Sequence, residues 1–239
     1  MTPAFLTAQW RYLALLNFEV ARQVLEPFRP AGTELDDRDG RHFVSLVGFL
    51  FLDTHVLSLP AFFHQDFEEV NLRFYARREV GGEVRHGVVF IRELVPLPLV
   101  AGVAKLTYNE PYRTVPMQHT ILETSGELQC VEYFFGGPAE RCRVTVHVEL
   151  PLAEMAAGSE EEFLSHREWG YTRQRDGGTI EYRVDHRRWK VWPNARWEIH
   201  GPLGEFYDPP FADILKAGPS SAFIADGSPV AVHLPVRIA

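Results

Sequence analysis

One stretch constrains the fold more than any other: residues 66–79, DFEEVNLRFYARRE. Strand side chains alternate between two faces, so Glu69, Asn71, Arg73 and Tyr75 share one side, and Val70, Leu72, Phe74 and Ala76 share the other. A carboxylate, an amide, a guanidinium and a phenol therefore stand in one row. Two readings of that row stay open. It is either a solvated outer face with a cross-strand ion pair, or the polar lining of a closed sheet. Phe67 shares the polar face, and the next strand offers Phe90 and Ile91 beside Arg92 and Glu93. An acid and a guanidinium held among aromatics are partly desolvated, which is the setting that perturbs pKa values.

The chain of 239 residues, 46% of them hydrophobic, is long enough for one large β domain or two small ones. Aromatic residues make up 13%, and 17 Pro and 18 Gly accompany them, which favours many short strands and tight turns over a helix bundle. The formal net charge is −8 and no basic stripe is visible, so nucleic acid is not an expected partner. Residues 1–10 lack the basic start and long apolar core of a signal peptide. The apolar runs at 44–52 and 97–104 are too short for a bilayer. Cys130 and Cys142 exclude a disulfide scaffold. A soluble cytoplasmic protein with free, buried thiols is expected.

Along the chain, 10–18 reads as a strand and 19–28 as a short helix ended by Pro27 and Pro30. Residues 42–52, HFVSLVGFLFL, are nearly apolar on both faces and so read as a central strand. An apolar connector at 56–63 leads to the two-faced strand at 67–78. Gly81-Gly82 turns it into 84–95 as a hairpin. The three strands 42–52, 67–78 and 84–95 are expected side by side in one sheet. At 97–109 the apolar period changes to that of a helix, with Pro98 in its first turn. This helix is the expected cover for Val70, Leu72 and Phe74. Strands at 115–123, 127–135 and 141–150 read as a meander, which would bring Cys130 and Cys142 near each other. Ser159 with Glu162 signals the start of a helix over 160–167. A hairpin spans 171–185 around Asp176-Gly177-Gly178, and 191–200 reads as another strand or extended segment. A short helix at 209–216 and strands at 222–225 and 229–238, around Asp226-Gly227-Ser228, close the chain. No linker interrupts it, so a single domain is expected.

The ten histidines show no metal-ligand spacing; His64, His119 and His186 are scattered, and no metal or cofactor is expected. Phosphate-loop, dinucleotide and nucleophile-elbow motifs are absent. Lys105 is the one lysine between residues 1 and 189. On an apolar helix it invites Schiff-base chemistry, which needs a desolvated amine. The plainer reading is a stem that snorkels its ammonium to water. The turn Tyr108-Asn109-Glu110-Pro111-Tyr112-Arg113 carries more polar and aromatic groups than a connector needs.

PAGTELDDRDGRHFVSLVGF (30–49), FEEVNLRFYARR (67–78), GVVFIRELVP (87–96), KLTYNEPY (105–112) and IADGSPVAVH (224–233) resemble the YqjF-like bacterial family of unknown function. That family is grouped with the acetoacetate decarboxylase-like fold. The resemblance implies a mainly β (α+β) domain over the whole chain. Its closed, barrel- or cone-like antiparallel sheet, with a few short helices, would enclose a small cavity. True acetoacetate decarboxylases carry a Tyr-x-Glu strand motif, then a Gly-Arg-Glu helix leading to Pro-Lys-Lys with the Schiff-base lysine. Phe67-Glu68-Glu69 is similar to the first motif, and Pro111 matches the proline. Tyr112 and Arg113 stand where the lysine pair would be, and Lys105 where the helix arginine would be. The resemblance thus carries over the acid and not the amine; arginine stays protonated and forms no imine.

The expected function is binding of a small carbonyl- or carboxylate-bearing molecule in an internal cavity, without Schiff-base lysine chemistry. Arg73, Arg92 and Arg113 are the candidates for holding a carboxylate, since a guanidinium pairs with one bidentately. Glu69 is the acid–base candidate. Tyr75, Tyr108 and Tyr112 would orient the ligand, and Asn71 and Lys105 complete the contact set. Two alternatives stand beside this: a lyase, decarboxylase or hydratase acting on a small oxo-acid, and a non-catalytic oligomerisation protein. Homo-oligomerisation is left open, and no membrane partner is expected.

Overall fold

The computed structural model describes residues 4–57, 59–60 and 65–239. In chain order its strands are β1 (Leu6–Val20), β2 (Glu34–Leu35), β3 (His42–Val56), β4 (Leu59–Pro60), β5 (Phe67–Val80), β6 (Glu83–Val95), β7 (Tyr112–Thr114), β8 (Met117–Thr124) and β9 (Glu127–Phe135). There follow β10 (Cys142–His147), β11 (Ala153–Glu154), β12 (Trp169–Arg173), β13 (Thr179–His186), β14 (Lys190–Trp192), β15 (Arg196–His200), β16 (Ser221–Val232) and β17 (Val236–Arg237). The α-helices are α1 (Arg22–Leu25), α2 (Pro98–Thr107), α3 (Glu160–Ser165) and α4 (Phe211–Ala217).

The large sheet runs β16-β1-β3-β5-β6-β12-β13 and then returns to β16, because Val184, Asp185 and His186 pair with Val232, Ala231 and Val230. The sheet therefore has a ring-like closure. Closure removes the open edges that a long strand such as β3 would otherwise leave exposed. The expected neighbours β3, β5 and β6 are adjacent and antiparallel. The sheet is mixed rather than purely antiparallel, since β6 pairs in parallel with both β7 and β12. β3 is central, as its two apolar faces require: its first ten residues are all buried.

A second sheet, β15-β10-β9-β8, packs on the outside of the ring. Val70, Leu72 and Phe74 join Val131, Tyr133 and Phe135 in one core between the two sheets. At Gly48 the sheets come so close that an added Cβ would lie 2.5 Å from Tyr133 Cδ2. This corrects the expectation that the 97–109 helix covers that face. A helix of ten residues is about 15 Å long, too short for the outer face of several strands, which another sheet matches. α2 instead lies over the inner face. Its Leu99, Val100, Val103 and Ala104 point toward the space the ring encloses.

α3 starts where its cap predicts: Ser159 Oγ accepts a hydrogen bond from the Glu162 backbone N at 3.2 Å. Other boundaries differ. Residues 19–28 split into the end of β1, the four-residue α1 and a 3-10 turn at Glu26–Phe28. Residues 191–200 form two strands in different sheets, β14 and β15, separated at Pro193-Asn194, where Asn194 has φ 52°. The Asp226-Gly227-Ser228 signal is an irregularity inside one long strand, β16. Gly227 there has φ 83°, and a Cβ would collide with Trp10 O. Cys130 and Cys142 are buried and free, but they sit at opposite ends of the β9–β10 pair, opposite His147 and Phe135. His64 and the end of the 56–63 connector lie outside the described residues. Among the described residues, no helix is long and apolar enough to cross a membrane.

Candidate functional site

The ring surrounds a partly open cavity of about 390 Å³. Its walls are mostly aromatic and aliphatic, with Trp10, Phe49, Phe51, Phe67, Phe90 and Trp189 prominent among them. β5 contributes Glu69, Asn71 and Arg73, the inward half of its alternation. On β6 a bulge resets the alternation. The register passes from Leu72↔Arg92 to Arg73↔Phe90, leaving Ile91 as the extra residue. Phe90 and Glu93 therefore both face inward, and Glu93 lies directly opposite Asn71. β7 runs parallel beside β6 with Tyr112 opposite Glu93. The turn between α2 and β7 adds Glu110, and β13 adds Tyr182.

Three buried carboxyls result. Glu69 accepts hydrogen bonds from Asn71 Nδ2 at 2.9 Å and from the Tyr112 hydroxyl at 3.1 Å. Glu110 Oε1 accepts from Thr172 Oγ1 at 2.5 Å and from the Tyr182 hydroxyl at 2.9 Å. Glu93 Oε2, Glu110 Oε2, Asn71 Oδ1 and Arg73 Nε are buried and have no partner among the described residues. Burial pushes the Glu69 carboxyl up to about 7, against the opposing hydrogen bonds of Asn71 and Tyr112 and the charge of Arg73. Glu110 rises to about 8 by burial, opposed by Thr172 and Tyr182 and reinforced by repulsion from Glu69. Glu93 rises well above the carboxylate range through burial, then through repulsion from Glu110 and Glu69. Near neutral pH such a cluster holds protons and can both donate and accept them.

The residues singled out from sequence separate into two groups. Glu69, Asn71, Arg73, Tyr108 and Tyr112 line the cavity. Tyr75, Arg92, Lys105 and Arg113 do not. Tyr75 is buried one register further on, where its hydroxyl shares a hydrogen bond with Ser45 Oγ at 2.6 Å and meets Leu164 O at 3.1 Å. The β6 bulge turns Arg92 outward to Asp208, at 3.5 Å. Arg113 follows Tyr112 on β7 and so faces the other way; it donates to Glu205 O at 2.6 Å and covers the Phe206 ring. Lys105 is on the solvent side of α2. Glu69 and Arg73 take neutral partners rather than each other. Arg73 Nη2 turns to Leu164 O at 3.0 Å, while Glu69 is held by an amide and a phenol.

Glu110, Tyr182 and Arg167 were missed. Glu110 stood in the dense 108–113 turn that drew notice for its composition. Tyr182 could have been found from the alternation of Ile180, Tyr182 and Val184. Arg167 follows α3, and nothing local marks it. It is buried against Asp36, with Nη1 to Oδ2 at 2.6 Å, and its Nη2, at the cavity wall, has no partner among the described residues. All three lysines of the chain, Lys105, Lys190 and Lys216, are exposed and none lines the cavity. Among the described residues no group of three His, Cys, Asp or Glu is arranged to hold a metal ion.

Solved structures share this architecture. The enduracididine biosynthesis enzyme MppR, with HEPES bound, superposes with a TM-score of 0.68 at 11% identity, covering 100% of this chain and 89% of that one. Acetoacetate decarboxylase from Legionella pneumophila gives 0.66 at 11% identity over 99% and 88%. An acetoacetate decarboxylase-like enzyme from Sphingomonas wittichii gives 0.65 at 13% identity over 100% and 94%. At these identities the likeness establishes the acetoacetate decarboxylase-like fold. No curated protein matches the chain. The model of one family, DUF2071, matches residues 7–229, and the chain belongs to that family of uncharacterized conserved proteins.

Proposed function

We propose that the ring binds a small, largely apolar molecule carrying a carbonyl or carboxylate group, and that it does so without Schiff-base chemistry. The observation that carries this is the pair of buried guanidinium nitrogens at the cavity wall with no partner among the described residues, Arg73 Nε and Arg167 Nη2. A guanidinium N–H is a donor with no acceptor role, and oxygen of a carbonyl or carboxylate is what satisfies it. The volume lies in the range of small-molecule sites. MppR, which shares the fold, has been solved in complex with pyruvate. A cavity without lysine supports the exclusion of an imine. Tyr108 and Tyr112 would orient the ligand. Free, buried thiols favour a reducing compartment, so the cytoplasm is the proposed location.

Thermal shift with pyruvate and phenylpyruvate tests the reading. Stabilisation of the wild type, lost in Arg73→Met, is expected. If no carbonyl or carboxylate probe stabilises the wild type, the reading fails. A second reading, an enzyme that moves a proton next to a carbonyl, is favoured by one observation. The Glu69 carboxyl is pushed up to about 7, which suits a group that gives and takes protons at neutral pH. Exchange of ligand α-protons in D2O, absent in Glu69→Gln, would support it.

A further inference from the structure

We propose that the acidic end of the cavity binds a primary ammonium group, so that the ligand is a small, largely apolar amine. Among the described residues, Asn71 Oδ1, Glu93 Oε2 and Glu110 Oε2 are three buried acceptors without a protein donor, in one cavity that no lysine lines. The inference rests on the preceding reading only in placing the ligand in this cavity, and it adds a second recognised group.

The other buried acids of this protein are paired with cations. Asp36 is paired with Arg167 at 2.6 Å, and Glu181 with Arg85 at 2.6 Å and Arg78 at 2.9 Å. Buried carboxylates ordinarily carry such cationic partners, because desolvation penalises an unpaired charge. Glu69, Glu93 and Glu110 are equally buried, and the donors that reach Glu69 and Glu110 are an amide, two phenols and a hydroxyl, all neutral. The protein thus gathers three carboxyls and gives none of them a cationic hydrogen-bond partner, Arg73 acting on Glu69 by its charge alone.

The free atoms match an ammonium in number and kind. Asn71 donates its Nδ2 to Glu69, which fixes Oδ1 as the outward acceptor. Glu93 lies opposite Asn71 across the β5–β6 pair. With Glu110 Oε2 they offer three acceptors, and an ammonium has three donors and no acceptor. Tyr112 donates to Glu69 and Tyr182 to Glu110, so two phenol rings stand at this end, and aromatic faces attract a cation. The walls beyond are apolar and accept the hydrocarbon body of an amine.

The charged and titratable groups facing this end set the pH response. β5 offers Glu69 and Arg73, β6 offers Glu93, and the α2–β7 turn offers Glu110 with Tyr108 and Tyr112. β13 adds Tyr182 and His186, and Arg167, paired with Asp36, also lines the wall. The phenols are raised by burial and stay neutral. An ammonium therefore acts on the three carboxyls. It favours their ionised form, so binding expels protons and strengthens as pH rises from about 6 to about 8.5, below the range where an alkylamine itself deprotonates.

Calorimetric titration of 2-phenylethylammonium into the full chain, in two buffers of different ionisation heat, tests this. The expected result is net proton release and an affinity that rises about tenfold or more between about pH 6 and about pH 8.5. Glu93→Gln, whose folding is checked by its melting temperature, should weaken binding about tenfold, and Glu110→Gln should do the same. Binding without proton release, an affinity that is flat or falls with pH, or no effect of either substitution would overturn the proposal, as would no binding at all. Phenylpyruvate is titrated in parallel. Amine binding without phenylpyruvate binding would defeat the carbonyl or carboxylate reading alone. Phenylpyruvate binding lost in Arg73→Met, with no amine binding, would defeat this one alone.

Discussion

Replacing Glu110 by Gln should change the pH dependence of stability in a defined direction. The carboxyl is 4% exposed, and its Oε1 takes both hydrogen bonds, from Thr172 and Tyr182. A Gln carbonyl oxygen can accept the same two, and its amide nitrogen then takes the place of Oε2, which has no protein partner. The substitution therefore removes a charge and keeps the contacts. In the unfolded chain the carboxyl ionises at its ordinary 4.5, and in the fold at about 8. The folded protein holds a proton that the unfolded chain releases, so this stabilisation is present below 4.5 and is lost as pH rises through 8. At ~1.4 kcal/mol per pH unit, the swing is on the order of 5 kcal/mol. Urea unfolding of wild type and variant across about pH 5 to 8.5 reads it from midpoint and slope. The two proteins should lie within about 1 kcal/mol near pH 5, and the variant should be the more stable by a few kcal/mol near pH 8.5. A difference that stays constant over that range would refute the reasoning, as would a variant that loses ground as pH rises.

Further outcomes follow from other parts of the molecule. Borohydride reduction with acetoacetate should leave the mass of the protein unchanged, because no lysine lines the cavity; a mass gain on Lys105 would overturn this. Asp36→Asn should cost about 3–5 kcal/mol in urea unfolding, since it leaves the Arg167 guanidinium buried beside a neutral amide. Although burial works to raise it, the Asp36 carboxyl is held below its usual range by His86 and Arg167, so its contribution is present at neutral pH and is lost on acidification. Gly170→Ala should destabilise by about 1–3 kcal/mol, because its Cβ would collide with the Tyr182 ring and push the phenol off Glu110. Full stability in that variant would show that the Tyr182–Glu110 contact is dispensable.

Alternation along β5 is a local property of an extended backbone, so the sequence alone places Glu69, Asn71 and Arg73 on one face and Val70, Leu72 and Phe74 on the other. The apolar double face of β3 likewise declares a central strand, and Pro98 and Ser159 mark where two helices begin. Which face of β5 looks inward was not local. It depends on the ring closing through β13 and β16, and on the second sheet covering the outer face in place of α2. The same holds for the cavity's chemistry. Glu93 replaces Arg92 at the wall because a bulge at Ile91 shifts the β6 register by one residue, and such a shift exchanges every side chain between faces. Glu110 meets Glu69 across 41 positions of chain because the α2–β7 turn is folded back beside β6. Side-chain pattern is written in neighbouring residues, whereas register, closure and the meeting of distant carboxyls are decided by which strands pair.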